Sequence, residues 1–182
     1  MPPVIELDGP TDAALVAAWQ AGGEQAATDL VRRHAGHIAR FLAGLGAAPG
    51  DVEDLAQEAF FRAFRALGTW RKESSFRSWL FSIAANVHRD AYRRGRGRTL
   101  VPLERHEVPG RHDPAAELVA GETAEQLRAG LASLPRLQRE VFLLRVQQGM
   151  EYGDIATALG TTAGAARVHY HHAVKRLKGL IR

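Results

Sequence analysis

The chain has 182 residues, a formal net charge of +4 and no cysteine. This length allows one ordinary domain or two small ones, and the absence of thiols excludes disulfides and thiolate metal sites. No apolar run approaches the length that spans a membrane, and the first residues, MPPVIELDGP, lack the basic and apolar regions of a signal peptide. We therefore expect a cytoplasmic protein without membrane insertion.

Helical periodicity runs through most of the chain. β-branched residues are sparse and no segment alternates apolar and polar residues for long, so we predict an all-α protein. Residues 99–113 include two prolines and a glycine and show little periodicity, which is typical of a flexible linker. We predict that this linker joins two small helical domains, residues 11–98 and 114–182.

Two helices open the first domain. Thr11 is placed to cap a helix from Asp12 to about Ala21, and a longer helix follows from Glu24 to about Leu45. The first helix is predicted to pack through Ala14, Leu15, Ala18 and Trp19. The second is predicted to pack through Ala27, Leu30, Val31, His34, Ile38, Phe41, Leu42 and Leu45. The apolar neighbours of His34 indicate a hydrogen-bonded core histidine rather than a ligand.

A third helix, DVEDLAQEAFFRAFRAL, has Asp51 as its predicted cap. Its core stripe is predicted to hold Val52, Leu55, Ala56, Ala59, Phe60, Ala63, Phe64 and Leu67. The outer side of its first half carries Glu53, Asp54, Gln57 and Glu58. Carboxylates at this end offset the helix dipole, which explains them without any partner. A docking face for a basic helix of another protein explains them equally, and Phe61, apolar and off the main stripe, favours that alternative.

The loop before the fourth helix combines an aromatic ring with positive charge. Trp70 stands between Gly68 and the pair Arg71 and Lys72, close to Ser74. Unstacked bases stack on aromatic rings while their phosphates meet Lys and Arg, so the loop predicts a contact with single-stranded nucleic acid. A tryptophan that belongs to the core is the alternative.

The fourth helix is predicted to begin at Phe76, with Ser74 or Ser75 as its cap, and to end at Gly95 and Gly97. Its apolar stripe is Phe76, Trp79, Leu80, Ile83, Ala84, Val87, Ala91 and Tyr92. Its solvent side is predicted to carry Arg77, Asn86, Arg89, Arg93, Arg94, Arg96 and Arg98. Only Asp90 carries the opposite charge, so this surface is predicted to attract phosphate. The alternative is that the arginines are simply the solvated end of a helix.

A helix-turn-helix is predicted near the end of the chain. Proline at position 114 starts a helix that runs to the break at Leu134, and another helix extends from Pro135 to about Gln148. Residues 152–159 then form a short amphipathic helix, Gly160 permits a tight turn, and Thr161 or Thr162 caps a second helix. This second helix packs through Ala166, Tyr170, Ala173 and Leu177.

The outer face of that second helix is where a recognition helix meets base edges and phosphates. It carries Arg167, Val168, His171, His172 and Lys175. His169 and His172 share a face, but no carboxylate follows Asp154 to complete a metal-ligand set on this helix. We therefore predict neither a metal nor a cofactor.

The order of these motifs resembles a bacterial sigma factor, and more narrowly the extracytoplasmic-function (ECF) group, which keeps only the second and fourth conserved domains. DVEDLAQEAFFRAF resembles the helix with which these proteins grip the clamp helices of the polymerase largest subunit. FRSWLFSIAANVHRDAYRR resembles the promoter-melting segment, and the loop 69–75 corresponds to the one that captures a flipped base. LPRLQREVFLLRVQQGMEYGDIATALGTTAGAARVHYHHAVKRLK resembles the domain that reads the minus-thirty-five element.

The resemblance implies a protein that binds core RNA polymerase at its clamp helices and flap and directs promoter recognition, DNA melting and initiation. Its partners would be double- and single-stranded promoter DNA and an anti-sigma factor, and it would not be an enzyme. The polymerase-binding candidates are Asp51, Asp54, Gln57, Glu58 and Phe61. The minus-ten candidates are Trp70, Arg71, Lys72, Ser74, Arg77, Asn86, Arg89, Arg93 and Arg94. The minus-thirty-five candidates are Thr161, Thr162, Arg167, Val168, His171, His172 and Lys175.

The chain departs from the family pattern on its recognition helix. Members commonly carry a basic residue where His169 and His172 stand, and a small polar residue at Val168. Neutral imidazole cannot make the bidentate guanine contact of arginine, so these departures bear directly on base preference. A Thr161–Thr162 pair also replaces the more usual Cys-Pro, which alters the helix cap.

Two other functions fit part of the sequence. A regulator could bind duplex DNA through the helix-turn-helix alone and use the first domain as a sensor, but this leaves the Trp70 loop and the basic residues 93–98 unexplained. The other function is that of a helical hydrolase with a metal bound at the histidines. Nothing supplies its paired carboxylates, a nucleophile elbow or a phosphate-binding glycine loop.

Overall fold

The computed structural model describes residues 9–95 and 114–180, and the side chains of 9–95 and 124–179. In these ranges it contains eight α-helices and no strand, which confirms the all-α prediction. The helices are α1 (Asp12–Gln20), α2 (Glu24–Gly44), α3 (Pro49–Ala66), α4 (Phe76–Gly95), α5 (Pro114–Ser133), α6 (Arg136–Phe142), α7 (Tyr152–Leu159) and α8 (Ala163–Leu180). The predicted linker 99–113, Gly97, Arg96 and Arg98 lie outside the described residues. None of the described helices is both long and apolar enough to cross a bilayer.

The first helices begin where side chains or proline supply the right geometry. The Thr11 hydroxyl accepts a hydrogen bond from the Ala14 amide at 3.2 Å and caps α1 as predicted. The predicted cap at Asp51 is wrong, because α3 begins two residues earlier, at Pro49. Proline has its φ fixed near the helical value and lacks an amide hydrogen that the first turn would leave unpaired. Asp51 instead lies in the first turn, where its charge offsets the dipole.

Hydroxyl caps also fix the starts of α4 and α8. The Ser75 Oγ accepts a hydrogen bond from the Ser78 amide at 3.1 Å, so Ser75 rather than Ser74 caps α4. The Thr162 Oγ1 accepts from the Ala165 amide at 3.1 Å and caps α8. Gly160 ends α7 with φ +65°, a left-handed conformation that glycine adopts without strain. The helix-turn-helix therefore has the turn that its sequence predicts.

The core of the N-terminal helices follows the predicted stripes closely. Its fully buried members include Leu30, Ile38, Phe41, Leu42, Ala59, Ala63, Leu80, Ala84 and Val87. His34 is 4% exposed, and its Nε2 lies 2.9 Å from Asp12 Oδ2, which confirms a hydrogen-bonded core histidine. Burial alone would raise the pKa of Asp12, but His34 and Arg33 hold it below its usual value.

Two predicted packing faces are wrong in single residues, although most of their members are buried or packed against the core. On α1 the buried residues are Leu15 and Val16, while Ala14 and Ala18 are exposed, because burying the larger side chains removes more apolar surface from water. On α4, Tyr92 is 56% exposed rather than part of the apolar stripe. Ser78, Phe81 and Ala85 of α4 lie outside the predicted apolar stripe and are nevertheless buried. They are buried because α4 packs against α2, α3 and α7 at once.

The C-terminal helices pack around the turn of the helix-turn-helix. Their buried apolar residues include Leu131, Leu134, Val141, Leu144, Ile155, Ala158, Ala166, Ala173 and Leu177. The predicted helix from Pro135 to Gln148 is present, but its second half, Leu143–Gln147, is a π-helical segment. Hydrophobic periodicity did not reveal this change of hydrogen bonding.

The N-terminal and C-terminal helices contact each other directly through buried polar groups. The Arg139 guanidinium on α6 donates to the Leu45 carbonyl at the end of α2, at 3.0 Å. In the other direction, Arg77 on α4 donates to the Gln148 carbonyl at 2.8 Å. Both carbonyls belong to helix ends, whose last oxygens lack intrahelical partners. Each half of the structure therefore supplies an arginine that satisfies a helix end of the other half.

Close packing accompanies these hydrogen bonds. A Cβ at Gly44 would lie 2.7 Å from Leu143 Cδ2, so a larger residue at this point of α2 would have to displace the Leu143 side chain. His88 on α4 is partly buried near Arg139, and burial together with that positive charge lowers the pKa of its imidazole below the usual 6.5. The contact between the two halves thus holds a neutral histidine against a cation.

We expect Ser75→Ala to lower the free energy of unfolding by about 1 kcal/mol, because the first turn of α4 loses its hydroxyl acceptor. Urea denaturation measures the change. Ser74→Ala is the matched control: Ser74 accepts the Trp70 indole N–H through its backbone carbonyl, which the substitution keeps. Equal losses in the two variants would contradict the assignment of the cap to Ser75.

We expect acid to destabilise the fold through His88. Below pH 6.5 the unfolded chain binds a proton at this histidine that the folded chain does not, so stability present at neutral pH is lost as the pH falls. The thermal midpoint of His88→Gln should therefore fall less than that of the wild type between about pH 7.5 and about pH 5.5. The wild type measured in parallel is the reference, and an unchanged pH dependence in His88→Gln would remove His88 from this role.

Candidate functional site

The predicted polymerase-binding residues form one face of α3, here called the docking face: Asp51, Asp54, Gln57, Glu58 and Phe61. Residues three and four apart on a helix are neighbours, so 51, 54, 58 and 61 follow one line along it. Asp51, Asp54 and Gln57 are exposed, Glu58 is half-buried, and Phe61 is 57% exposed. Asp51 and Asp54 have no ion pair with any described residue. The face therefore presents free carboxylates beside an exposed aromatic ring.

A chain of ion pairs ties the docking face to α4. Arg62 donates to Glu58 Oε1 at 2.6 Å and to Asp90 Oδ2 at 2.8 Å. Arg93 donates to the other oxygen of Asp90 at 2.5 Å. These hydrogen bonds, first from Arg62 and then from Arg93, lower the pKa of Asp90. Asp90 therefore orients two arginines, and Arg62 links the docking face to the basic end of α4.

The loop before α4 is held by its tryptophan. Trp70 is half-buried, its indole N–H donates to the Ser74 carbonyl at 3.2 Å, and its ring meets Phe76 edge-on at 5.7 Å. The sequence predicted that this ring is open for stacking with a base. In the structure, much of the ring instead packs within the protein and holds the loop in place. Arg71 and Lys72 at the tip are exposed, and Lys72 has φ +60°. The groups that the loop presents to a partner are mainly cationic.

On the last turns of α4, Arg93 and Arg94 are exposed as predicted, whereas Arg89 is half-buried rather than fully on the solvent side. Asn86, Arg93 and Arg94 face solvent, and half-buried Arg89 donates to the Asn86 side chain. Arg94 donates to the Asp90 carbonyl at 3.3 Å, so its guanidinium is held close to the helix. This end of α4 can meet the phosphates of a nucleic-acid strand.

Arg77 does not lie on the solvent side as predicted. Its guanidinium donates to the carbonyl and side chain of Gln148 and lies 5.7 Å from the centre of the Phe81 ring. Burial lowers the pKa of Arg77, although the charge stays on at neutral pH. The unpaired carbonyl of the π-helical segment explains this placement, and no local sequence pattern could have revealed a partner 71 positions away.

The predicted recognition face of α8 is exposed. It consists of Arg167, Val168, His171, His172 and Lys175. Thr162 is exposed at the cap, and Thr161 is half-buried with its amide bonded to the Ala156 carbonyl at 3.0 Å. Beside the face lies an open groove lined by Gln138, His172, Lys175, Arg176 and Gly179. Three of these residues carry basic side chains, and Gln138 and Arg176 were not among the predicted site residues.

The start of α7 adds an arrangement that the sequence did not indicate. The ring of Tyr152 lies between two guanidinium groups: that of Arg145 is 4.9 Å from the ring centre and that of Arg167 is 5.2 Å away. Among the described residues, no three His, Cys, Asp or Glu side chains converge as a metal site would require.

Comparison with known proteins relates these surfaces to a family. Residues 30–99 match the family Sigma-70 region 2, and residues 124–177 match Sigma-70, region 4. The ECF RNA polymerase sigma factor SigE of Mycolicibacterium smegmatis is 33% identical over 180 residues, covering 94% of this chain and 68% of SigE. The RNA polymerase sigma factor CnrH of Cupriavidus metallidurans is 31% identical over 183 residues, covering 94% of this chain and 96% of CnrH.

Solved structures agree with this relationship. The structure of CnrH in complex with the cytosolic domain of CnrY superposes with a TM-score of 0.72 at 28% identity, covering 93% of this chain and 96% of that one. The sigma factor RpoE, in its complex with the anti-sigma factor NepR from Bartonella quintana, shares the fold with a TM-score of 0.68 at 22% identity, covering 85% and 95%. Since both sigma regions match in order and relatives align across nearly the whole chain, this protein belongs to the ECF group of RNA polymerase sigma factors, the DNA-binding proteins that direct transcription initiation.

Proposed function

We propose that this sigma factor binds core RNA polymerase through the docking face of α3. One observation carries the proposal: free carboxylates and the exposed ring of Phe61 lie on a single line of α3, away from its buried stripe. Arg65 lies over the Phe61 ring, 5.5 Å from its centre, and limits the motion of that ring. An aromatic anchor within a charged rim is the usual composition of a protein interface, and the acidic charge selects a basic partner helix.

The minus-ten element would be held by the loop and by the last turns of α4. Exposed Arg71, Lys72, Arg93 and Arg94 meet phosphates, while Ser74 and Asn86 offer hydrogen bonds to bases. Trp70 would take part through the exposed portion of its ring. Extruding a base costs a few kcal/mol, and contacts of this kind recover part of that cost.

Arg77, a member of the predicted minus-ten set, contacts the C-terminal helices in the free chain, and Arg89 of the same set acts on them electrostatically. Arg77 is bonded to Gln148, and the positive charge of Arg89 acts on buried Glu140 of α6. These contacts support a free state that binds promoter DNA poorly. Docking on polymerase, which separates the two DNA-binding parts, would release both arginines.

The minus-thirty-five element would be read by α8. Its exposed face enters the major groove, with Arg167 and Lys175 on phosphates or bases and Val168, His171 and His172 at base edges. Thr161 and Thr162 lie at the start of the helix, where backbone amides face a phosphate. The domain boundaries would then be 11–98 and 114–182, with 99–113 as the linker.

We propose that an inhibitory anti-sigma factor is also a partner of this protein. CnrH is known in complex with the cytosolic domain of CnrY, and CnrH aligns over 94% of this chain, which supports an anti-sigma factor for this protein too. We infer further that the protein acts in the cytoplasm, where polymerase is found, and catalyses no reaction of its own.

Transcription from a randomised promoter library with purified core polymerase tests the proposal. We expect the chain to confer initiation on a defined subset of templates, each with an upstream and a downstream element. A stand-alone helix-turn-helix regulator would bind duplex DNA tightly without polymerase and would start no transcript, and that result would refute the proposal.

We expect the double substitution Asp54→Lys with Glu58→Lys to abolish association with core polymerase, because it reverses the charge at the centre of the docking face. A pull-down with purified core polymerase measures association. Exposed ion pairs contribute little to stability, so loss of the Glu58–Arg62 pair should leave the thermal midpoint nearly unchanged.

The matched control for this experiment is Glu24→Lys with Glu125→Lys, which makes the same change of net charge at exposed positions on α2 and α5. This variant should bind polymerase as the wild type does. If both variants lose binding equally, total charge rather than the docking face is responsible. Retained association of the Asp54 and Glu58 variant would contradict the docking role.

We expect His172→Arg to shift promoter preference toward guanine at one upstream position, since arginine makes the bidentate contact that imidazole cannot. Sequencing of transcripts from the promoter library gives the base profile. Gln20→Arg, at an exposed position on α1, is the control for added positive charge. An unchanged profile in His172→Arg would remove His172 from base readout.

A further inference from the structure

The tyrosine at the start of α7 is contacted by side chains from two other elements, the π-helical segment and α8. Arg145 of the π-helical segment lies 4.9 Å from the centre of the Tyr152 ring, and Arg167 of α8 lies 5.2 Å from it. Both distances fall within the range in which a guanidinium is attracted by the negative face of an aromatic ring. Tyr152 therefore links the recognition helix to the segment that precedes the helix-turn-helix.

The two arginines have different freedom. Arg145 donates to the Met150 carbonyl at 2.8 Å and to Glu151 Oε1 at 2.9 Å, and the hydrogen bond to Glu151 raises the pKa of Arg145. Arg167 is exposed and has no ion pair with the described carboxylates. Arg145 is thus fixed by other groups, whereas Arg167 keeps its N–H donors available for a partner.

The ring itself is held in place by aromatic neighbours. Tyr170 of α8 meets Tyr152 edge-on at 6.1 Å, and Phe142 of α6 stacks on Tyr170 at 6.2 Å. Aromatic pairs of this geometry add to the energy of burial and restrict ring rotation. The face that Tyr152 turns toward Arg167 is consequently fixed before any DNA arrives.

We propose that Tyr152 is a positioning residue for promoter recognition, and that its ring holds the Arg167 guanidinium ready to bind a phosphate of the upstream element. The proposal rests on the assignment of Arg167 to upstream DNA under the proposed function. A guanidinium that lies over a ring keeps its in-plane N–H groups free to donate. A long side chain that is ordered in advance loses less conformational entropy on binding, which strengthens the complex.

A ring that merely fills space would give the same packing without this effect, so the test must change the electrostatics of the ring and not its shape. Tyr152→Phe keeps the π face, and replacement of Tyr152 by trifluoro- and then pentafluorophenylalanine progressively removes its negative potential at nearly constant shape. Each variant of the full chain is assembled with core polymerase. Binding to a duplex carrying an upstream element selected by the wild-type holoenzyme is measured over a range of salt concentrations.

We expect Tyr152→Phe to bind within about twofold of the wild type and the pentafluoro variant to bind about two- to fivefold more weakly, with trifluoro between them. Arg167→Ala should lower the slope of log affinity against log salt by about one, as the loss of one phosphate contact requires. In the Arg167→Ala background, fluorination should no longer change affinity, because the two residues act as a unit.

Three outcomes overturn the inference. Fluorination without effect in the wild type shows that the ring potential is irrelevant, and an equal effect with and without Arg167 shows that Tyr152 acts through other groups. An unchanged salt slope in Arg167→Ala removes Arg167 from phosphate contact and the inference with it, while transcription from the selected promoters still supports the sigma function. Failure of the wild-type holoenzyme to initiate anywhere is a different result, and it refutes the proposed function itself.

Discussion

The burial of α4 is the constraint on which the rest of the structure depends. This helix packs against α2, α3 and α7, so Phe81 and Ala85 are as completely buried as the predicted stripe residues Leu80 and Val87. A helix enclosed on so many sides has little surface left for a partner. The groups of α4 that we propose to bind DNA are therefore confined to the loop at its start and to its last three turns, where the basic residues and Asn86 are found.

The contact between the two halves combines apolar packing, such as Leu143 against Gly44, with hydrogen bonds from two arginines. Arg77 and Arg139 each satisfy a helix-end carbonyl of the opposite half, and burial lowers the pKa of both. A buried cation is tolerated only while its hydrogen bonds are complete, because the desolvation cost is otherwise uncompensated. Such a contact forms with defined geometry but can be exchanged for another set of acceptors, including phosphates. This chemistry suits a protein that must change partners.

The fold was predictable because each helix carries its own signals. Thr11, Gly160 and the apolar stripes of α2, α3 and α8 are local features, and the structure agrees with them. The errors arise where distant parts of the chain meet. Arg77 turns away from solvent because the Gln148 carbonyl lacks an intrahelical partner, and Trp70 is half-buried because Phe76 and Ser74 hold it. Sequence spacing gives the face of a helix on which a residue lies but not the neighbour that covers it.

The net charge of this chain is small, but its acidic and basic residues lie on different surfaces. The 24 basic and 20 acidic residues nearly cancel, yet the acidic groups of the docking face lie on α3 while the basic groups lie on the α4 loop and on α8. Each contact taken alone is small and weakened by salt. If all three are made on one polymerase, the second and third become intramolecular and gain from a high effective concentration. Specificity then depends on whether a promoter presents both elements at the spacing the enzyme imposes, which a chain with a single strongly basic surface would not require.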